Sequence, residues 1–106
     1  MAKIKIPLAD PSWEYRSLRN EIDSAVKKVL EEGKFIMGPE VELFEKEASE
    51  YLGAKYAIGM SSGTDALLAS LMAIGVKEGD EVITTSFSFI ATASVIARVG
   101  AKPVFV

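Results

Sequence analysis

The sequence predicts an α/β fold in which a parallel or mixed sheet carries helices on both faces. From Ala54 onward, short apolar runs alternate with segments of helical periodicity. The apolar runs lack the in-and-out alternation of a strand with one solvated face, which is typical of strands in a parallel sheet. Helix 64–74 is apolar around much of its circumference, as expected for a helix that packs against such a sheet.

The first half of the chain is predicted to be helical. One helix runs between the turn-like Asp10-Pro11-Ser12 and Gly33, and a second begins at Pro39 and ends before Gly53. The apolar positions on one face are Leu18, Ile22, Val26, Val29 and Leu30 in the first helix, and Val41, Phe44, Ala48, Tyr51 and Leu52 in the second. This pattern predicts an N-terminal helical segment over residues 1–53.

Residues 54–106 are predicted to form the first βαβαβ part of a sheet domain. The strands are expected at 55–60 and 81–85 and from Pro103 onward, with helices at 64–74 and 89–99 between them. Three short strands leave much of a sheet's edges and helix faces uncovered. We therefore expect the chain to be the truncated front part of a longer polypeptide; the alternative is a small flavodoxin-like module completed by association.

Composition narrows the chemistry that the chain can perform. It has 106 residues, 12 basic and 15 acidic side chains with a net charge of −3, and no cysteine or histidine. Those absences disfavour disulfides, a metal site and a histidine base. The mixed charges predict no nucleic-acid surface, and no apolar run is long enough for a signal peptide or a membrane span. We expect a cytoplasmic protein without a metal or a membrane anchor.

The turn Ser61-Ser62-Gly63-Thr64-Asp65 joins a predicted strand to an apolar helix, which is a geometry that binds phosphate. The first N–H groups of a helix have no intrahelical acceptor, so those of Gly63 and Thr64 are candidates to hold an anion. Gly63 lets the ligand approach the backbone, and the Thr64 hydroxyl adds a donor. The alternative is a helix cap without a ligand. The turn matches neither the G-x-G-x-x-G fingerprint nor a Walker A loop.

Other candidates lie on the loop after the second predicted strand and between the two N-terminal helices. The Phe89 ring is a candidate to stack on a flat heteroaromatic ligand, whereas Phe87 is expected in the core. Asp65 is predicted to cap its helix and not to contact a ligand, because its charge would repel a phosphate. The apolar connector 34–37 is consistent with ordinary packing, or with a segment that lines a site or a subunit contact.

Several motifs together resemble the DegT/StrS family of sugar aminotransferases. They occur in family order and, with their surroundings, extend from about Ile6 to Val106. The motifs are Gly38-Pro39-Glu40-Val41, Phe44-Glu45, Tyr51-Leu52-Gly53, Ser61-Ser62-Gly63-Thr64-Asp65-Ala66-Leu67, Gly79-Asp80-Glu81-Val82-Ile83 and Ser88-Phe89-Ile90-Ala91-Thr92-Ala93.

The resemblance implies the start of the large domain of a fold type I enzyme that uses pyridoxal 5′-phosphate (PLP). Such an enzyme moves an amino group, usually from glutamate, to a keto sugar carried on a nucleotide, and forms a homodimer with its site at the subunit interface. In this family the positions of Gly63 and Thr64 hold the cofactor phosphate, and the position of Phe89 carries the ring that stacks on the pyridine.

The resemblance also implies which groups this chain lacks. The Schiff-base lysine and the aspartate that pairs with the pyridinium nitrogen lie beyond Val106 in a family member, and no lysine here matches that position. We therefore expect no catalytic residue in these 106 residues and no activity from the chain alone. Two alternatives remain open: a PLP-dependent sugar dehydratase of the same family, and a non-catalytic α/β phosphate-binding or regulatory module.

Overall fold

The computed structural model describes residues 8–106, and the chain divides into two compact units between Ala57 and Ile58. The first unit holds helix α1, Pro11–Glu32, and helix α2, Pro39–Leu52. The second holds α3, Gly63–Ala73; β1, Glu81–Thr84; α4, Ala91–Arg98; and β2, Lys102–Phe105. The family resemblance extends from about Ile6, and residues 6–7 lie outside the described residues.

Local signals delimit the two N-terminal helices, and both predicted helices are confirmed. Each has a proline in its first turn, where a missing N–H costs nothing. Each ends at a glycine in the left-handed conformation, Gly33 at φ 66° and Gly53 at φ 64°. The Asp10 side chain accepts the N–H of Ser12 at 3.2 Å and so caps α1.

A tight turn connects α1 to α2. Met37 adopts a left-handed conformation at φ 47°, which is rare for a residue with a side chain. Gly38 is buried, and a Cβ built there would collide with the carbonyl oxygen of Lys34. Across this turn the Lys28 ammonium lies 2.5 Å from the Glu40 carboxylate, and that pairing raises the pKa of Lys28.

The second unit is built on two parallel strands. In the β1–β2 register, Glu81 pairs with Lys102 and Thr84 with Phe105, and helix α4 lies between the strands in sequence. Helix α4 packs against both strands and against α3. The buried side chains of this core are Ala91, Val95, Ile96 and Ala101. The α/β arrangement with parallel strands is therefore confirmed.

The structure corrects three predictions in this unit. Residues 55–60, predicted as a strand, form none, because within residues 8–106 the sheet consists of β1 and β2 paired with each other. Helix α4 begins at Ala91, not at 89, because the Phe89 carbonyl accepts the N–H and hydroxyl of Thr92. Phe87 is 99% exposed and is not a core residue. The predicted domain boundary between 53 and 54 stays a prediction.

Candidate functional site

The start of α3 supplies the helix half of the strand–turn–helix geometry predicted for phosphate binding, whereas within residues 8–106 no strand precedes the turn. Ser62 is the N-cap residue in an extended conformation, and its hydroxyl accepts the N–H of Asp65 at 3.1 Å. The Ala66 N–H donates to the Ser62 carbonyl at 3.0 Å. The N–H groups of Gly63 and Thr64, the first two of the helix, find no acceptor among residues 8–106. Two donors at the positive end of the helix dipole are thus left for a ligand.

Gly63 faces open space. A Cβ built on Gly63 meets no atom within 4 Å, and its φ does not lie in the left-handed region. A side chain at this position is therefore compatible with the fold, yet it would occupy the space beside the two N–H groups. Thr64 follows it and is half-buried. Small, accessible backbone donors of this kind fit a phosphate group.

The Asp65 carboxylate engages both serines of the turn. Its Oδ2 atom accepts the Ser61 hydroxyl at 2.5 Å and the Ser62 hydroxyl at 2.9 Å. These two hydrogen bonds, with a smaller contribution from the charge of Arg98, lower the pKa of Asp65, so the carboxylate is ionised at neutral pH. The predicted capping position of Asp65 is confirmed, and its carboxylate has a second role that the sequence analysis missed.

This second role limits the donors that a phosphate can use. A serine hydroxyl has one proton, and in this structure both serines give theirs to Asp65. The donors that remain at the first two positions of the helix are the N–H groups of Gly63 and Thr64 and the Thr64 hydroxyl. The spacing Ser62-x-x-Asp65 is the capping-box signal that could have revealed the pairing from sequence.

The aromatic candidates lie on the loop that follows β1. Phe89 is 74% exposed, so its ring is accessible for stacking, and its carbonyl caps α4. Gly63 and Thr64 are neighbours at the start of α3, whereas Phe89 belongs to a separate loop of the same unit. The described contacts contain no hydrogen bond between that loop and the turn before α3.

An apolar patch lies on the connector between α1 and α2. We call Phe35, Ile36 and Met37 the connector patch; all three are exposed, Phe35 by 64%. The connector lines a surface depression of about 460 Å³, and Phe35 also borders an apolar depression beside Val26, Val29 and Leu30. The first unit therefore presents a continuous apolar surface around Phe35.

Within residues 8–106, no group of three or more acidic, histidine or cysteine side chains could hold a metal ion. None of the helices in that part of the chain combines the length and apolarity needed to cross a membrane.

Comparison with known proteins places these features in a family. The model of the DegT/DnrJ/EryC1/StrS aminotransferase family matches residues 16–106. UDP-2-acetamido-2-deoxy-3-oxo-D-glucuronate aminotransferase from Pseudomonas aeruginosa is 47% identical over 101 residues, which are 95% of this chain and 28% of that protein. The chain thus spans little more than a quarter of the length of this curated relative.

The chain also resembles solved structures. DesV from Streptomyces venezuelae superposes with a TM-score of 0.91 at 40% identity, covering 96% of this chain and 28% of that one. The Bacillus subtilis protein ntda, crystallised with bound cofactor PMP, superposes with a TM-score of 0.89 at 37% identity, covering 99% and 24%. These structural neighbours are PLP-dependent aminotransferases, so the fold that the motifs predicted is confirmed.

Proposed function

Because the chain belongs to the DegT/DnrJ/EryC1/StrS aminotransferase family, we propose that it holds the cofactor phosphate in a PLP-dependent sugar aminotransferase. The reaction would move an amino group, from glutamate, to a keto sugar carried on a nucleotide. The names of relatives support the sugar-nucleotide class, since two of them are aminotransferases of UDP- and dTDP-linked sugars. The lysine and aspartate required by the chemistry would lie outside these 106 residues.

One observation carries the proposal: the start of α3 presents two free N–H groups beside open space at Gly63. The phosphate would accept hydrogen bonds from Gly63, Thr64 and the Thr64 hydroxyl, with no lysine needed in this turn. PLP, when bound, supplies the electron sink for amino-group transfer. The residues of this turn would anchor that group and fix its position.

Phe89 would orient the ring of the cofactor. Its side chain is exposed on the loop at the carboxyl end of β1, the end of parallel strands where ligands bind in open α/β sheets. Stacking of two aromatic rings contributes about 0.5–1.5 kcal/mol beyond the area that they bury. Phosphate anchoring and ring stacking together would hold the ligand at two points and limit its rotation.

We further propose a cytoplasmic homodimer in which the connector patch lies near the subunit contact. Phe35, Ile36 and Met37 are exposed within a highly charged pair of helices, and such an apolar patch is unfavourable in water unless something covers it. The buried Gly38 follows the patch in the connector, and the exposed patch would contact a second copy of the chain.

The phosphate assignment is tested with Gly63→Val in the full-length protein. The valine fits the fold, because the space around Gly63 is open, but it fills the approach to the N–H groups. We expect PLP to bind at least tenfold more weakly, while pyridoxal, which lacks the phosphate, binds as in the parent. Equilibrium dialysis with both ligands measures this, and thermal melting confirms that the variant is folded. An unchanged ratio of the two affinities would refute the assignment.

A further inference from the structure

We draw no further inference here: the strongest candidate, the side-chain cluster in which Asp65 accepts hydrogen bonds from the Ser61 and Ser62 hydroxyls at the start of α3, belongs to the phosphate-binding turn already described.

Discussion

Ser62 and Asp65 hold each other at the start of α3 through two hydrogen bonds. The N–H of Asp65 donates to the Ser62 hydroxyl oxygen at 3.1 Å, and that hydroxyl donates to the Asp65 carboxylate at 2.9 Å. The pair closes the first turn of the helix without using the N–H groups of Gly63 and Thr64. A single local arrangement therefore stabilises the helix and leaves its two foremost donors available for a phosphate.

Removing the charge of Asp65 is expected to strengthen phosphate binding. Asp65→Asn keeps an oxygen that can accept a serine hydroxyl but takes away a negative charge near the proposed phosphate. We expect PLP affinity to rise about threefold to tenfold at low salt, because repulsion between nearby charges is lost. Pyridoxal affinity should stay the same. Equilibrium dialysis with both ligands measures the change, and a fall in PLP affinity would show that the carboxylate supports the site instead of opposing the ligand.

The same variant carries a pH test. The pKa of Asp65 is lowered on folding from its ordinary value of 3.8, so its charge stabilises the fold above that value. This contribution is lost as the pH falls through the lower folded pKa. The parent should therefore be more stable than Asp65→Asn at pH 7, and the difference should vanish in strong acid. Urea unfolding at several pH values measures it; a difference that is constant with pH would contradict the ionised carboxylate.

Phe89 and Phe87 are expected to respond differently to replacement by alanine. If Phe89 stacks on the cofactor ring, Phe89→Ala should weaken the binding of PLP and pyridoxal alike, by about twofold to tenfold. Phe87 is the matched control on the same loop, and its 99% exposure leaves no packing against residues 8–106 to lose. Phe87→Ala should change neither affinity. Dialysis of both variants decides it, and equal losses would mean that the two rings have been misassigned.

This ring test is independent of the test at Gly63. A substitution at Gly63 acts on the phosphate alone, so it should separate PLP from pyridoxal. A substitution at Phe89 acts on the ring that both ligands share, so it should not separate them. If both variants weakened both ligands equally, the cofactor site as a whole would be disturbed and the separate roles would be wrong.

Phe35→Glu tests the proposed subunit contact. Burial of an unpaired carboxylate costs roughly several kcal/mol, so association should weaken by a hundredfold or more. Because the site is proposed to lie at the interface, turnover should fall with association on dilution. Sedimentation and activity of the full-length protein across a dilution series measure both. Glu47→Gln, an exposed change on α2 outside the depression that the connector lines, is the control; a dimer of Phe35→Glu as tight as the parent would refute the placement.

A side chain at Gly38 is expected to destabilise the turn between α1 and α2. A Cβ at this position collides with the Lys34 backbone carbonyl, so Gly38→Ala must displace the connector, at a cost of about 1–3 kcal/mol. Gly33→Ala is the matched control: its Cβ meets no atom within 4 Å, but its φ of 66° is strained for alanine by roughly 1 kcal/mol. Urea unfolding compares the two variants. A smaller loss at Gly38 than at Gly33 would contradict the close packing of this turn.

The sequence by itself determined the features that depend on neighbours within one helical turn. Pro39 marks a helix start, and Gly33 and Gly53 mark helix ends, because each acts on backbone groups a few residues away. The ordered motifs also identified the family correctly. Because these signals act between residues that are close in the chain, they predict structure without knowledge of the packing.

The tertiary structure decided two kinds of feature. One depends on residues that are distant in sequence, and the other depends on several groups that bind the same atom. Residues 55–60 look like a strand in the sequence, but a strand forms only in a ladder with a neighbouring strand, and within the described residues the sheet consists of β1 and β2 alone. Apolar Phe87 looks like a core residue, but burial depends on which elements surround the loop. The Ser62-x-x-Asp65 spacing signals one of the serine pairings, but only the folded turn shows that the same Asp65 oxygen also accepts the Ser61 hydroxyl.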